Sequence, residues 1–169
     1  MKLSPEHRQI ADIVKRFVQK EINPFVSEWE AAQEFPSHQI FKKLGDLGLL
    51  GLKYPEEFGG AGLDFSYSMV MAEALGECNC GGIPMAIGVH TDMCTPALAR
   101  FGSDELRTEF LKPSIAGDVV GCLGVSEAGG GSSACAWPSR ARPSSAPCDP
   151  TPSASPVSET SGPSSRETP

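Results

Sequence analysis

The stretch GCLGVSEAGGGSS, residues 121 to 133, carries the residue types in this chain best suited to binding a charged or electron-rich group. An apolar run leads into a hydroxyl, an acid and three consecutive glycines, Gly129, Gly130 and Gly131. Glycine tolerates positive φ and close backbone approach, so such a loop can turn several N–H groups toward an anion or a ring edge. Three other groupings invite chemistry. His90 and Cys94 share a helix face at a four-residue spacing, with Asp92 between them. That is a metal pattern only where further ligands cluster, and a satisfied polar residue in a buried helix is the plainer expectation. Glu56 and Glu57 lie in a Pro/Gly loop with no apolar surroundings to raise a carboxyl pKa, so they read as solvated charges. Cys78 and Cys80 form a single CxC, and the six cysteines fit neither a disulfide framework nor paired zinc knuckles. Reduced thiols in a reducing compartment are expected. No catalytic residue and no metal site follows from the sequence.

The elements that must position these residues are mostly helices. Ser4, Pro5 and Glu6 open the first one, whose apolar residues Ile10, Val14, Phe17 and Val18 line one stripe. Asn23-Pro24 is expected to end it and cap a second, carrying Phe25, Val26 and Trp29. Ser37 should cap a third, with Ile40, Phe41 and Leu44 inward and Gly45 at its end. Pro55, Gly59, Gly60 and Gly62 make the next segment a loop. Asp64 should cap a fourth helix with Phe65, Met69, Ala72 and Leu75 at helical spacing. Residues 83 to 101 are apolar nearly all round, as in a helix buried on every side and kinked at Pro96. Ser103 begins a short helix facing in through Leu106, Phe110 and Leu111. The run VVGCLGV, 119 to 125, reads as the first strand.

The chain has 169 residues, 40% of them hydrophobic and 21% charged, with a net charge of -7. Arg140, Arg142 and Arg166 balance Asp149, Glu159 and Glu167, so all of that charge belongs to residues 1 to 131. An acidic body argues against nucleic acid as a partner. No run of 18 apolar residues is present, so no transmembrane segment is expected. The opening MKLSPEHRQ shows no targeting signal, which leaves the mitochondrial matrix or the cytoplasm as the expected compartment. From Ser132 to Pro169 there are eleven serines and eight of the fifteen prolines, and Val157 is the only aliphatic residue larger than alanine. With so little to bury, residues 133–169 are expected to be a disordered Ser/Pro-rich tail.

Three motifs in order carry a resemblance: KYPEEFGGAGLD at 53 to 64, ARFGSDELRTEFLKPSIAGD at 99 to 118, and GCLGVSEAGGGS at 121 to 132. Together they resemble the amino-terminal helical domain of an acyl-CoA dehydrogenase leading into its flavin-binding strand. The resemblance implies a mainly α fold, a helical bundle over residues 1–118. The start of a flavin-binding β-domain, with its first strand, follows over 119–132 and the tail over 133–169. It further implies FAD as cofactor and an acyl-CoA substrate, dehydrogenated between its α and β carbons with hydride transfer to the flavin. Leu123, Gly124, Val125, Ser126, Gly131 and Ser132 would contact the flavin, Ser132 would also approach the thioester, and His90 and Thr91 would line the acyl chain.

The family pattern usually has Pro and Asp where this chain has Ala128 and Ser133, and agreement ends at Ser132. The family's remaining β-domain and carboxy-terminal bundle supply the catalytic glutamate, most of the flavin pocket and the contacts of a homo-oligomer. A fragment truncated before them is expected to lack turnover, its tail a splicing or reading-frame product. The reading from another class is a non-catalytic helical interaction module, or a partner of full-length subunits.

Overall fold

Helix formation begins where the backbone is capped. Ser4 Oγ accepts from the His7 amide while the His7 ring accepts from the Ser4 amide, and Pro5 occupies the first helical position. In the computed structural model, which describes residues 3–124, this opens helix α1, Pro5–Phe17, burying Val14 and Phe17. A π turn, Val18–Ile22, and a 3-10 turn, Asn23–Phe25, carry the chain into α2, Val26–Ala32, which stops at Gln33 with φ 55°. Helix α3, Ser37–Asp46, buries Ile40, Phe41 and Leu44, the face its spacing predicts. Next come α4, Phe65–Leu75, capped by Asp64, and α5, Gly82–Gly88. A π turn, Val89–Cys94, joins α5 to α6, Thr95–Phe101. The unit closes with α7, Asp104–Leu106, a π turn, Arg107–Leu111, and α8, Lys112–Ile115.

The core forms where the stripes meet. Val14, Val18 and Ile22 pack with Phe41 and Leu44 of α3, with Leu50, and with Ile87 of α5. A second cluster joins Tyr54, Leu111 and Ile115. Each such side chain contributes about 1.5–3 kcal/mol relative to exposure, so this apolar set, more than helix propensity, holds short helices of marginal intrinsic stability. Polar contacts fix the register of α1 along α4. His7 Nδ1 lies 2.7 Å from Ser4 Oγ and its Nε2 2.6 Å from Ser66 Oγ, while the ring stacks on Tyr67 at 3.9 Å.

Several expectations need correction. Residues 119–124 form no strand, and no strand exists among the described residues. A lone strand leaves its amides unpaired; here the Gly121 amide is taken by a side chain instead, and Val125 lies outside the described residues. Asn23 does not cap α2; its side chain bridges the Glu77 carbonyl and the Asn79 amide. Ser37 is the first residue of α3 and makes no side-chain cap. In α4 the buried face is Val70, Met71, Ala74 and Leu75, whereas Phe65 and Met69 are exposed. The helix is apolar on both sides, so periodicity alone does not select its inner face. The segment 83–101 is likewise exposed on one side, at Met85, Met93 and Phe101, and Leu106 and Phe110 also face outward.

Gly45 lies inside α3 and is no stop signal. A Cβ there would come within 2.2 Å of the Ala116 carbonyl oxygen, and one on Gly117 within 2.2 Å of the Phe41 carbonyl oxygen. The turn after α8 therefore sits backbone against backbone on α3. Gly117 also has φ 75°. Gly117→Ala is expected to cost about 2–3 kcal/mol, combining overpacking with left-handed strain; urea unfolding followed by circular dichroism measures it.

Candidate functional site

The loop between α3 and α4 builds one wall of a cavity. Its 3-10 turn, Leu49–Gly51, buries all three residues, and Tyr54 is drawn into the protein. The Tyr54 hydroxyl donates to the Thr91 carbonyl at 2.9 Å and lies 2.7 Å from Thr95 Oγ1. The π turn after α5 disturbs the regular ladder there, and Tyr54 satisfies a carbonyl on it. Thr95 Oγ1 in turn donates to the His90 carbonyl at 2.6 Å. Burial pushes the Tyr54 phenol up to about 12, so it stays protonated and acts as a donor. Tyr54→Phe is expected to cost about 1–2 kcal/mol, read as a lower denaturation midpoint.

A cavity of about 100 Å³ lies among this loop, α4, and α5 with its π turn. Leu50, Met71, Leu75 and Gly88 give it apolar walls, and Thr91 lines it too. Its polar edge is an ion pair, Lys53 Nζ to Asp92 Oδ1 at 2.5 Å. The Lys53 ammonium also stands 5.8 Å from the centroid of the Phe65 ring. Asp92 is the cavity's one lining carboxylate, and it is exposed. The arrangement suits a short apolar chain entering past a polar collar.

His90 neighbours this cavity but points elsewhere. It is 1% exposed, its Nε2–H donates to the Ser114 carbonyl at 3.1 Å, and its Nδ1 accepts from the Gly121 amide at 3.0 Å. The ring meets Phe41 edge-on at 5.0 Å. Both nitrogens are committed to backbone, which fixes the neutral Nε2–H tautomer. Burial lowers the His90 pKa, opposed in part by the bond to Ser114. His90 thus tethers the segment leaving α8.

The remaining sequence-derived residues divide by position. Leu123 and Gly124 are exposed at the end of the described chain, and Gly124 has open space where a side chain would stand. Val125, Ser126, Gly131 and Ser132 lie outside the described residues, as does the tail. Thr91 and His90 are adjacent but divide between cavity and tether. Glu56 and Glu57 are exposed. Among the described residues no three His, Cys, Asp or Glu side chains converge, the four cysteines are free, and no helix is long and apolar enough to cross a membrane. Sequence reasoning missed Tyr54, Lys53 and Gly88. Only the Pro/Gly density around residue 55 hinted at a built loop, and nothing local marked Gly88.

Comparison with known proteins gives this geometry a lineage. A family model described as the acyl-CoA dehydrogenase N-terminal domain matches residues 4–118. The human mitochondrial short-chain specific acyl-CoA dehydrogenase is 35% identical over 143 residues, covering 84% of this chain and 34% of that relative. The chain thus spans about a third of the length of the curated relatives it matches. Among solved structures, an acyl-CoA dehydrogenase from Geobacillus kaustophilus superposes with a TM-score of 0.70 at 30% identity, covering 78% of this chain and 34% of that one. One from Bacillus anthracis, complexed with FAD, does so at 0.70 and 31% identity, covering 77% and 22%.

Proposed function

The chain belongs to the acyl-CoA dehydrogenase family, and from that premise we propose that its helical unit supplies the acyl-chain wall of a flavin-dependent enzyme. The reaction is α,β-dehydrogenation of acyl-CoA thioesters. The observation carrying this reading is the α4–α5 cavity, apolar within and closed by the Lys53–Asp92 collar. Thr91 lines the acyl chain directly. His90 serves the site from behind, holding the chain segment that leads from Ser114 to Gly121.

FAD is the family's cofactor, and a flavin-bound relative is among the similar structures. The residues at the end of the described chain fit it: Leu123 offers an exposed apolar face, and Gly124 leaves room for close backbone approach. Val125, Ser126, Gly131 and Ser132 would complete that edge, with Ser132 also toward the thioester. The flavin, when bound, accepts the β-hydride. The proton on the α-carbon needs a base, and Asp92 is unsuited to that work because Lys53 holds it. The wall, on this reading, positions the acyl chain, the family's base and most of its flavin pocket lie outside the helical unit, and that unit alone gives no turnover. On this reading residues 1–118 are the helical domain, 119–132 the start of the flavin-binding domain and 133–169 a tail. The compartment is the mitochondrial matrix or the cytoplasm, and the family's homo-oligomer would be held mainly by contacts outside this helical unit.

A second reading rests on the outward apolar residues of α4 and α6, where Phe65 is 62% and Phe101 79% exposed. A non-catalytic helical module would use such residues as its contact surface. Isothermal titration of the full chain with butyryl-CoA and with free CoA separates the two. The dehydrogenase reading predicts a binding component that depends on the acyl chain. Equal affinity for both, in a colourless and self-associating preparation, supports the module and overturns the wall.

A further inference from the structure

We propose that a cleft between α2 and the start of α5, far in function from the acyl wall, docks an arginine- or lysine-bearing segment of a partner protein. The cleft measures about 350 Å³, within the range of about 300–1,000 Å³ common for binding pockets. Its floor is apolar: Val26 and Ile83 are buried. Its walls are aromatic. Trp29 and Phe35 both line it, half-buried, with centroids 6.4 Å apart and planes tilted 48°. Phe25 backs Trp29 in a stack at 5.5 Å.

Charge chooses the occupant. Glu30 and Glu34 line the same cleft, both exposed, no Lys or Arg lines it, and among the described residues neither acid is ion-paired. A neutral apolar occupant would strip water from two carboxylates and return nothing. An anion would be repelled. A cation with an apolar stem satisfies every wall at once: the stem covers Val26 and Ile83, the head meets the face of Trp29, and the carboxylates neutralise it. Arginine and lysine are the protein side chains built this way. Two acids on one rim suit two basic side chains of one extended segment, which favours a peptide stretch over a single free cation. The net charge of -7, all in residues 1 to 131, steers such a segment in.

The test uses the full chain and two probes, the capped pentapeptide alanine-arginine-alanine-arginine-alanine and its counterpart with citrulline in place of arginine. Binding is followed by isothermal titration at low and high salt. The arginine peptide is expected to bind, and the citrulline peptide at least tenfold more weakly. Glu30→Gln with Glu34→Gln should weaken the arginine peptide at least tenfold, with helicity by circular dichroism unchanged. Glu56→Gln with Glu57→Gln, a control for diffuse acidity, should leave it unaltered. Absence of binding overturns the proposal, as does equal binding of the two peptides or an equal loss in the control. A concentration-dependent dimer abolished by Trp29→Ala assigns the cleft to a second copy of this chain and overturns it as well.

Discussion

His90→Ala is expected to lower the stability of the helical unit by about 4 kcal/mol or more. Two costs add. The ring fills space against Phe41 at the centre of the bundle, and deleting a buried side chain of that size costs roughly 2–5 kcal/mol. Its loss also strands the Ser114 carbonyl and the Gly121 amide, each about 1–3 kcal/mol when buried without a partner. Water entering at the half-buried Gly121 recovers some of this. Against a net stability of about 5–15 kcal/mol, a loss of that size moves the variant's unfolding midpoint well below that of the wild type. Burial lowers the folded-state pKa of His90 below its unfolded value. Its stabilising contribution is therefore present above the unfolded pKa of about 6.5 and is lost as pH falls through that value toward the folded one. Urea midpoints of the wild type should fall between pH 7.5 and 5.5 more steeply than those of the variant. Parallel profiles would remove His90 from the account of acid sensitivity.

Gly88→Leu is expected to abolish acyl-dependent binding while leaving the fold intact. Gly88 lines the α4–α5 cavity, has ordinary helical geometry, and faces open space where a Cβ would stand. A leucine there occupies the volume an acyl chain would use. About 100 Å³ is room for roughly three water-sized groups, and at about 0.8 kcal/mol per buried methylene their exclusion is worth ~2.4 kcal/mol. That corresponds to about a 50-fold loss in affinity for butyryl-CoA and none for free CoA. Thermal stability should hold or rise, since glycine is a poor helix former. An unchanged butyryl-CoA affinity would place the acyl chain elsewhere.

Helix existence was legible because caps and punctuation are local: Ser4-Pro5, Asp64 and Ser103 each start a helix in the structure. The inner faces of α1 and α3 were legible too, since their outer faces are polar. Where both sides are apolar, as in α4 and residues 83–101, the pattern has no preferred face, and packing decides. The run 119–125 reads as a strand, and its described residues 119–124 form none, for a different reason. β-branched residues signal a strand, but a strand needs a neighbour, and the described chain offers His90 in its place. The site was half legible. Thr91 reaches the cavity, yet the Tyr54 anchor and the Lys53–Asp92 collar join residues 37 and 39 positions apart. Contacts at that range leave no periodic trace in sequence.

On the proposed reading this helical unit is a wall for an acyl chain and supplies no base. The measurement that tests this most directly is the visible spectrum of the purified 169-residue chain, mixed with FAD under anaerobic conditions, as butyryl-CoA is added. The flavin is expected to stay oxidised. Stoichiometric retention of FAD by this chain, with bleaching on each addition of butyryl-CoA, would contradict that reading.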